Sequence, residues 1–210
     1  MTKPQTRLPD GQVSSHKLIL LIAYLLILSV PGVTWVKNSG WSGGVVYGLA
    51  RLAGLYAFTL MTLQVGIGGL ADKLRPIFGA RIIRWHIWQG TVAFSLAMLH
   101  PVLMAVVFGV GEVLRMGGDA VWGKIALNLL IISVLAGAMR AQPWLVRYWR
   151  WVHRLNYVIL AMVWWHSWRL GTDTHTWPMA GIYLLAPVVL VWALTNKLLE
   201  SRILSKYGYR

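Results

Sequence analysis

The sequence predicts an all-α integral membrane protein, a six-transmembrane-helix bundle with both termini cytoplasmic. Of its 210 residues, 57% are hydrophobic and only 12% are charged. A soluble domain carries roughly 25% charged residues. A chain of this composition cannot cover its surface with polar groups in water. The third observation is a series of six apolar segments, each near the roughly 20 residues that cross the hydrocarbon core of a bilayer.

These six segments predict a single domain over residues 1–210, with residues 1–17 and 199–210 as cytoplasmic tails. In order, they cover residues 18–36, 45–68, 85–108, 122–139, 151–170 and 179–198. Charged or Gly/Pro-rich breaks bound each segment. A signal peptide is an alternative for the first segment, although that segment is long for one and no small-residue cleavage motif follows it.

Basic residues set the predicted orientation, because cytoplasmic connections of membrane proteins are enriched in Lys and Arg. With the amino terminus inside, fifteen of the twenty Lys and Arg residues lie inside, four lie outside, and Arg51 falls within the second span. The formal net charge of +14 then reflects orientation, and no nucleic-acid partner is needed to explain it. From this pattern we expect membrane lipid as a partner and a multi-pass location in a bacterial inner membrane.

Tryptophan and cysteine usage add two constraints. Most of the thirteen tryptophans lie near predicted span ends, as interfacial belts require, with Trp35 expected at the outer face. The chain has no cysteine, which excludes disulfides, thiolate zinc sites, Cys-held iron–sulfur clusters and covalent haem attachment.

Four of the six histidines lie within two predicted spans, where ionisable groups are costly and indicate a functional site. His86 and His100 are fourteen residues apart, about four turns, so they share one face of the third span. His153 and His166 are thirteen apart in the fifth span. Both spans run from inside to outside, so an inner layer of His86 and His153 and an outer layer of His100 and His166 are expected.

Two opposed histidines in each layer suit a low-spin b-type haem, because a neutral imidazole nitrogen ligates iron while the other nitrogen bonds a neighbouring acceptor. Zinc is disfavoured, since it takes three or four protein ligands. The sequence therefore predicts two haems b, with these four histidines as the iron ligands. An ideal helix leaves His166 about 140° from the face of His153, so a tightened stretch, a kink or different haem azimuths are required.

Charge and size indicate further residues that contact the cofactor. Arg51 has no acidic residue in any span, so a haem propionate is expected to neutralise it. Gly90, one turn after His86, is expected to let a flat ring approach the backbone. Three further arginines flank the two layers and have interfacial snorkelling as an alternative: Arg84, Arg154 and Arg169.

The histidine segments resemble the ferric-reductase-like transmembrane domain, which occurs in NADPH oxidases, ferric reductases and the haem-binding membrane subunit of the bacterial methionine sulfoxide reductase system. The resemblance implies six helices with two b haems between the third and fifth. It rests on Arg84-Trp-His86-Ile-Trp-Gln-Gly90, on Leu99-His100-Pro101, and on Trp149-Arg-Trp-Val-His153-Arg-Leu-Asn-Tyr157 continuing to His166.

The resemblance implies the electron-transfer subunit of an oxidoreductase. We expect no flavin or nicotinamide domain in this chain, so electrons would come from a separate flavoprotein or from quinol and leave to an extracytoplasmic acceptor. Two alternatives stay open: a quinol-linked cytochrome b subunit, and a six-helix transporter or assembly protein without haem, whose histidines are structural or carry protons.

Overall fold

The structure, a computed structural model, describes the backbone of residues 10–206 and the side chains of residues 15–197. Residues 1–9 and 207–210 of the predicted tails lie outside the described range, and the rest of both tails continues the first and last helices. Over residues 10–206 the chain forms eight helices and no strand. They are α1 (Asp10–Lys37), α2 (Val45–Phe78), α3 (Arg81–Phe108), α4 (Val110–Arg115), α5 (Ala120–Ala138), α6 (Trp149–Arg154), α7 (Asn156–Leu170) and α8 (Met179–Lys206).

Five of these helices, α1, α2, α3, α5 and α8, are long and apolar enough to cross a membrane. The all-helical prediction is therefore confirmed, and the fold is compatible with a multi-pass membrane protein. Large apolar side chains stay exposed along the helices, including Leu26 at 63%, Val106 at 67% and Leu184 at 66%. Such surfaces are costly in water and favourable against lipid tails.

The central helix is α2, which packs against α1, α3, α7 and α8. Small residues on α2 let its neighbours approach closely, as helix interfaces in membranes commonly do. Its core side chain Phe58 stacks on Tyr183 of α8 with ring centroids 4.2 Å apart. The buried Ile159 and Leu160 of α7 belong to the same apolar cluster.

Helix α2 is longer than predicted. The expected second span ends at Gly68, whereas α2 continues to Phe78. At 1.5 Å per residue, its 34 residues extend about 51 Å, beyond a hydrocarbon core of roughly 30 Å. Lys73 and Arg75 are therefore helical, and the connection to α3 is only Gly79 and Ala80.

The predicted fifth span is divided at Leu155 into α6 and α7. The N–H of Leu155 donates to the Val152 carbonyl at 3.1 Å, an i to i−3 bond that tightens the chain. Asn156 Nδ2 donates to the His153 carbonyl at 2.8 Å and so satisfies an acceptor at the break. A tightened stretch, one of the three features that would accommodate the His153/His166 spacing, is therefore present two residues after His153.

Tryptophan placement differs from the predicted belts at one position. Trp35 is 7% exposed and donates from Nε1 to the Gly48 carbonyl at 2.8 Å. Trp35 lies near the end of α1, and its indole joins α1 to α2 within the bundle instead of lying on the surface of the molecule. A buried indole needs an acceptor for its N–H, and the adjacent helix supplies one.

Candidate functional site

The structure brings His86 and His153 together, as the sequence predicted. Their ring centroids are 6.3 Å apart, and the ring planes make an angle of 71°. Nδ1 of His86 is buried without a hydrogen-bond partner among the described residues. Nδ1 of His153 lies 3.3 Å from Asn156 Nδ2. This pair joins the first turns of α3 to α6.

His100 of α3 and His166 of α7 line one cavity at the other end of the bundle. Nδ1 of His100 lies 2.8 Å from the Ala50 carbonyl, and Nδ1 of His166 lies 3.0 Å from the Asp119 carbonyl. A carbonyl oxygen only accepts hydrogen bonds, so Nδ1 carries the proton in both rings. Each neutral ring therefore keeps its lone pair on Nε2, the arrangement that a ligating histidine requires.

The cavity between His100 and His166 has a volume of about 400 Å³. Ligand and cofactor pockets commonly enclose about 300 to 1,000 Å³, with mostly apolar walls and a few polar groups. Apolar residues of α2, α3, α5 and α7 form most of its wall, among them Met61, Ala97 and Leu130. Its polar lining includes Arg51 and Asp173. We call this end of the molecule the cavity end, and the opposite end, which holds the 140–154 connection, the basic end.

A glycine faces each of the four histidine rings. On α2, Gly54 faces His100 and Gly68 faces His86; on α5, Gly123 faces His166 and Gly137 faces His153. Both glycine pairs are fourteen residues apart, the spacing of the two histidines on α3. The fourteen-residue spacing therefore recurs in three spans, a sequence signal that the histidines alone do not reveal.

The cavity-end glycines fit more tightly than the other two. A methyl group on Gly54 would lie 3.0 Å from Nδ1 of His100, and one on Gly123 would lie 2.7 Å from Cε1 of His166. A methyl group on Gly68 or Gly137 would lie 3.8 Å or 3.6 Å from the nearest ring atom, an ordinary contact distance. The His100 and His166 rings therefore lie in space that a side chain at residue 54 or 123 would occupy.

Arg51 differs from its prediction. Its Nε and Nη2 bind both carboxylate oxygens of Asp173, at 2.9 Å and 2.6 Å. The side chains of Arg51 and Asp173 are only 10% and 3% exposed. The expectation that Arg51 lacks an acidic partner was wrong, because the connection between α7 and α8 folds over the bundle end and carries Asp173 inward. Asn38 Nδ2 also donates to Asp173, at 2.8 Å.

Asp119, which precedes α5, organises the surroundings of His166 and was not singled out from the sequence. Its carbonyl bonds to His166, while its carboxylate accepts from Trp165 Nε1 at 3.1 Å and from Arg169 Nε at 3.2 Å. Arg169 therefore lies beside the cavity end, as predicted, but its charge already has a carboxylate partner. Because the Arg169 side chain is exposed, water screens its ion pair with Asp119 and the pair contributes little.

Gly90, Arg84 and Arg154 do not face a histidine pair in the manner expected. A methyl group on Gly90 would meet Gln64 Nε2 at 2.7 Å, so this glycine makes room for a side chain of α2. Arg84 is exposed and lines a shallow surface depression with Trp88. Arg154 is exposed, with its guanidinium 4.7 Å from the Trp151 ring centroid. Two residues along a helix turn about 200°, which carries Arg84 away from His86.

Among the residues with described side chains, no group of three or more His, Cys, Asp or Glu residues could hold a metal ion. The histidines occur as two pairs, which is too few ligands for a typical zinc site. His175, outside both pairs, is exposed and bonds through Nε2 to the Trp168 carbonyl at 3.0 Å. The chain matches no protein-family model, no curated protein and no solved structure. The likeness to the ferric-reductase-like transmembrane domain therefore stays a prediction from the sequence motifs.

Proposed function

We propose that this protein transfers electrons across a membrane and holds two b-type haems, one between His86 and His153 and one between His100 and His166. The observation that carries the proposal is the pair at the cavity end. Its two rings line one apolar cavity, and backbone carbonyls fix both in the tautomer whose Nε2 can ligate iron. Haem iron supplies one-electron chemistry when bound.

The distance between His86 and His153 also fits a two-histidine iron site. These two rings lie close enough for both to hold one haem iron through a ring nitrogen, and the haem would supply one-electron chemistry there when bound. The observed separation is 6.3 Å. The buried Nδ1 of His86 has no partner among the described residues, so this pair is held less firmly than the pair at the cavity end.

In this function the protein residues hold the histidine rings in position and keep water away from the haems. Gly54 and Gly123 admit the His100 and His166 rings, and the two carbonyls orient them. Apolar walls exclude water, which lowers the local dielectric and tunes the reduction potential of a bound centre. Arg51 lines the cavity, and Asp173 neutralises its positive charge.

The proposed direction of transfer follows the charge distribution. Both termini and the basic end lie in the cytoplasm, and α6 and α7 together complete a sixth span. A flavoprotein or quinol donates electrons at the His86/His153 site, and an acceptor outside takes them at the cavity end. Fifteen basic residues on one side against four on the other support this orientation.

The proposal is tested with purified protein from haem-replete cells. We expect a reduced-minus-oxidised spectrum of b type and two haems per chain. His100→Ala is expected to lose one haem, and His175→Ala, which alters an exposed histidine outside both pairs, is expected to keep two. A colourless protein, or retention of both haems by His100→Ala, would contradict the proposal and favour a structural or proton-carrying role for the histidines.

A further inference from the structure

Residues 140–154 form the connection between α5 and α7, including α6, and we call them the arginine segment. The segment carries four arginines and no carboxylate, and the chain has no Asp or Glu between Asp119 and Asp173. Among the residues whose side chains are described, none of these arginines belongs to an ion pair. Within the part of the chain whose side chains the structure describes, no carboxylate neutralises this positive charge. The four are Arg140, Arg147, Arg150 and Arg154.

Aromatic side chains lie beside these arginines and are exposed with them. Trp144 is 64% exposed, Tyr148 56% and Trp151 68%. Guanidinium groups lie over two of these rings, with Arg147 5.9 Å from Tyr148 and Arg154 4.7 Å from Trp151, and Arg150 lies 5.7 Å from the half-buried Trp149 ring. The segment thus presents cations and large amphipathic rings at the same level.

From this composition and exposure we infer that the arginine segment binds the headgroups of anionic phospholipids. An aromatic ring beside a guanidinium matches the membrane interface, where the ring lies among the acyl-chain ends and glycerol groups and the guanidinium bonds a phosphate in bidentate fashion. The buried Leu145 anchors the segment to the bundle. An acidic soluble protein would match the charge, but the exposed rings continue directly into apolar helices that face lipid.

Lipid binding here would affect the neighbouring histidine. His153 lies within the arginine segment and packs against Gly137 of α5, which precedes the segment. Headgroups that hold the segment at the membrane surface would therefore restrain the position of His153. This consequence rests on the proposed function, whereas the lipid site itself does not.

The lipid site is tested by titrating detergent-solubilised full-length protein with a short-chain phosphatidylglycerol and, separately, with the matching phosphatidylcholine. Native mass spectrometry counts the bound lipids. Wild-type protein is expected to prefer phosphatidylglycerol. Arg147 and Arg150 are expected to bond the lipid phosphate directly, and charge-assisted hydrogen bonds are stronger than general surface attraction, so R147Q/R150Q is expected to lower the phosphatidylglycerol affinity about tenfold or more.

Matched variants separate this site from a general charge effect. R75Q/R81Q removes two exposed cations from the same end of the molecule and is expected to keep the preference. R147K/R150K keeps both positive charges and is expected to keep most of the preference for phosphatidylglycerol. It provides a second comparison if R147Q/R150Q folds poorly. Haem content, measured on each preparation, reports the proposed function separately.

Three results would overturn the inference. The first is equal affinity for the two lipids, and the second is an equal loss in R75Q/R81Q and R147Q/R150Q. The third is slowed hydrogen exchange of residues 140–154 in the presence of a co-purifying acidic protein, but not in phosphatidylglycerol nanodiscs. That result would assign the segment to a protein partner.

Discussion

The glycines that face the histidine rings tolerate a methyl group to different degrees, and this difference separates the two proposed sites. We expect Gly123→Ala to displace the His166 ring, because the new methyl carbon would lie 2.7 Å from Cε1. Overpacking of this kind costs about 1–3 kcal/mol when the neighbours cannot move. The variant is expected to bind one haem, measured by the pyridine haemochrome spectrum per chain.

Gly137→Ala is the matched control on the same helix. Its methyl carbon would lie 3.6 Å from the nearest atom of the His153 ring, an ordinary van der Waals distance. We expect this variant to keep two haems. Loss of a haem in both alanine variants, or in neither, would show that the distance between glycine and ring does not determine the position of the histidine ring.

A second prediction at the residue scale concerns the ion pair between Arg51 and Asp173. Asp173→Ala leaves a nearly buried guanidinium without its carboxylate, which typically costs about 3–5 kcal/mol. We expect a clear fall in the thermal unfolding temperature of the protein in detergent. The effect is expected even without cofactor, because the pair joins α2 to the connection between α7 and α8.

The exposed pair of Arg115 and Glu112 provides the comparison. Its side chains are 74% and 63% exposed, and exposed pairs contribute about 0–1 kcal/mol. Glu112→Gln should therefore leave the unfolding temperature nearly unchanged. Equal effects of Asp173→Ala and Glu112→Gln would mean that the Arg51–Asp173 pair contributes no more than a surface contact.

At the scale of elements, the break between α6 and α7 determines how His153 and His166 reach their partners. Asn156 supports the break by donating to the His153 carbonyl at 2.8 Å. Asn156→Ala removes a bond of about 0.5–1.5 kcal/mol, so we expect the His153 ring to become less ordered. The low-spin electron paramagnetic resonance signal of one haem should broaden or shift while the other stays unchanged.

Asn128→Ala is the control for this change, because Asn128 makes a comparable bond to the Lys124 carbonyl on the exposed side of α5. Both signals are expected to stay as in the wild type. A shift of both signals in Asn156→Ala would instead indicate a general loosening of the bundle.

The helices and the histidine pairs could be predicted from the sequence, whereas the atoms that orient the histidine rings could not. Apolar length predicts a helix in lipid, and the fourteen-residue spacing of His86 and His100 places both on one face. The orienting groups are backbone carbonyls of Ala50 and Asp119, which any residue type can supply, so no pattern indicated them. The thirteen-residue spacing indicated a tightened stretch, a kink or different haem azimuths, and the position of the break at Leu155 depends on local bonding that periodicity does not describe.

At the scale of the whole molecule, long-range contacts account for the main differences from the sequence-based predictions. Arg51 and Asp173 are 122 residues apart, and only the folded connection brings them together. Trp35 turned into the bundle because the Gly48 carbonyl offered an acceptor. Charge and hydropathy, by contrast, are properties of segments, and the apolar segments that they indicated are helical, with the predicted fifth span divided into α6 and α7.

The proposed orientation follows from the same segment charges and can be measured directly, because the chain has no cysteine and any introduced thiol is unique. Ser42 is exposed in the connection between α1 and α2 at the cavity end, and Arg147 is exposed at the basic end. In intact cells we expect a membrane-impermeant maleimide to label Ser42→Cys and to leave Arg147→Cys unlabelled until the membrane is opened. Labelling of Arg147→Cys alone in intact cells would reverse the orientation, and with it the proposed direction of electron transfer, while leaving the two histidine pairs in place.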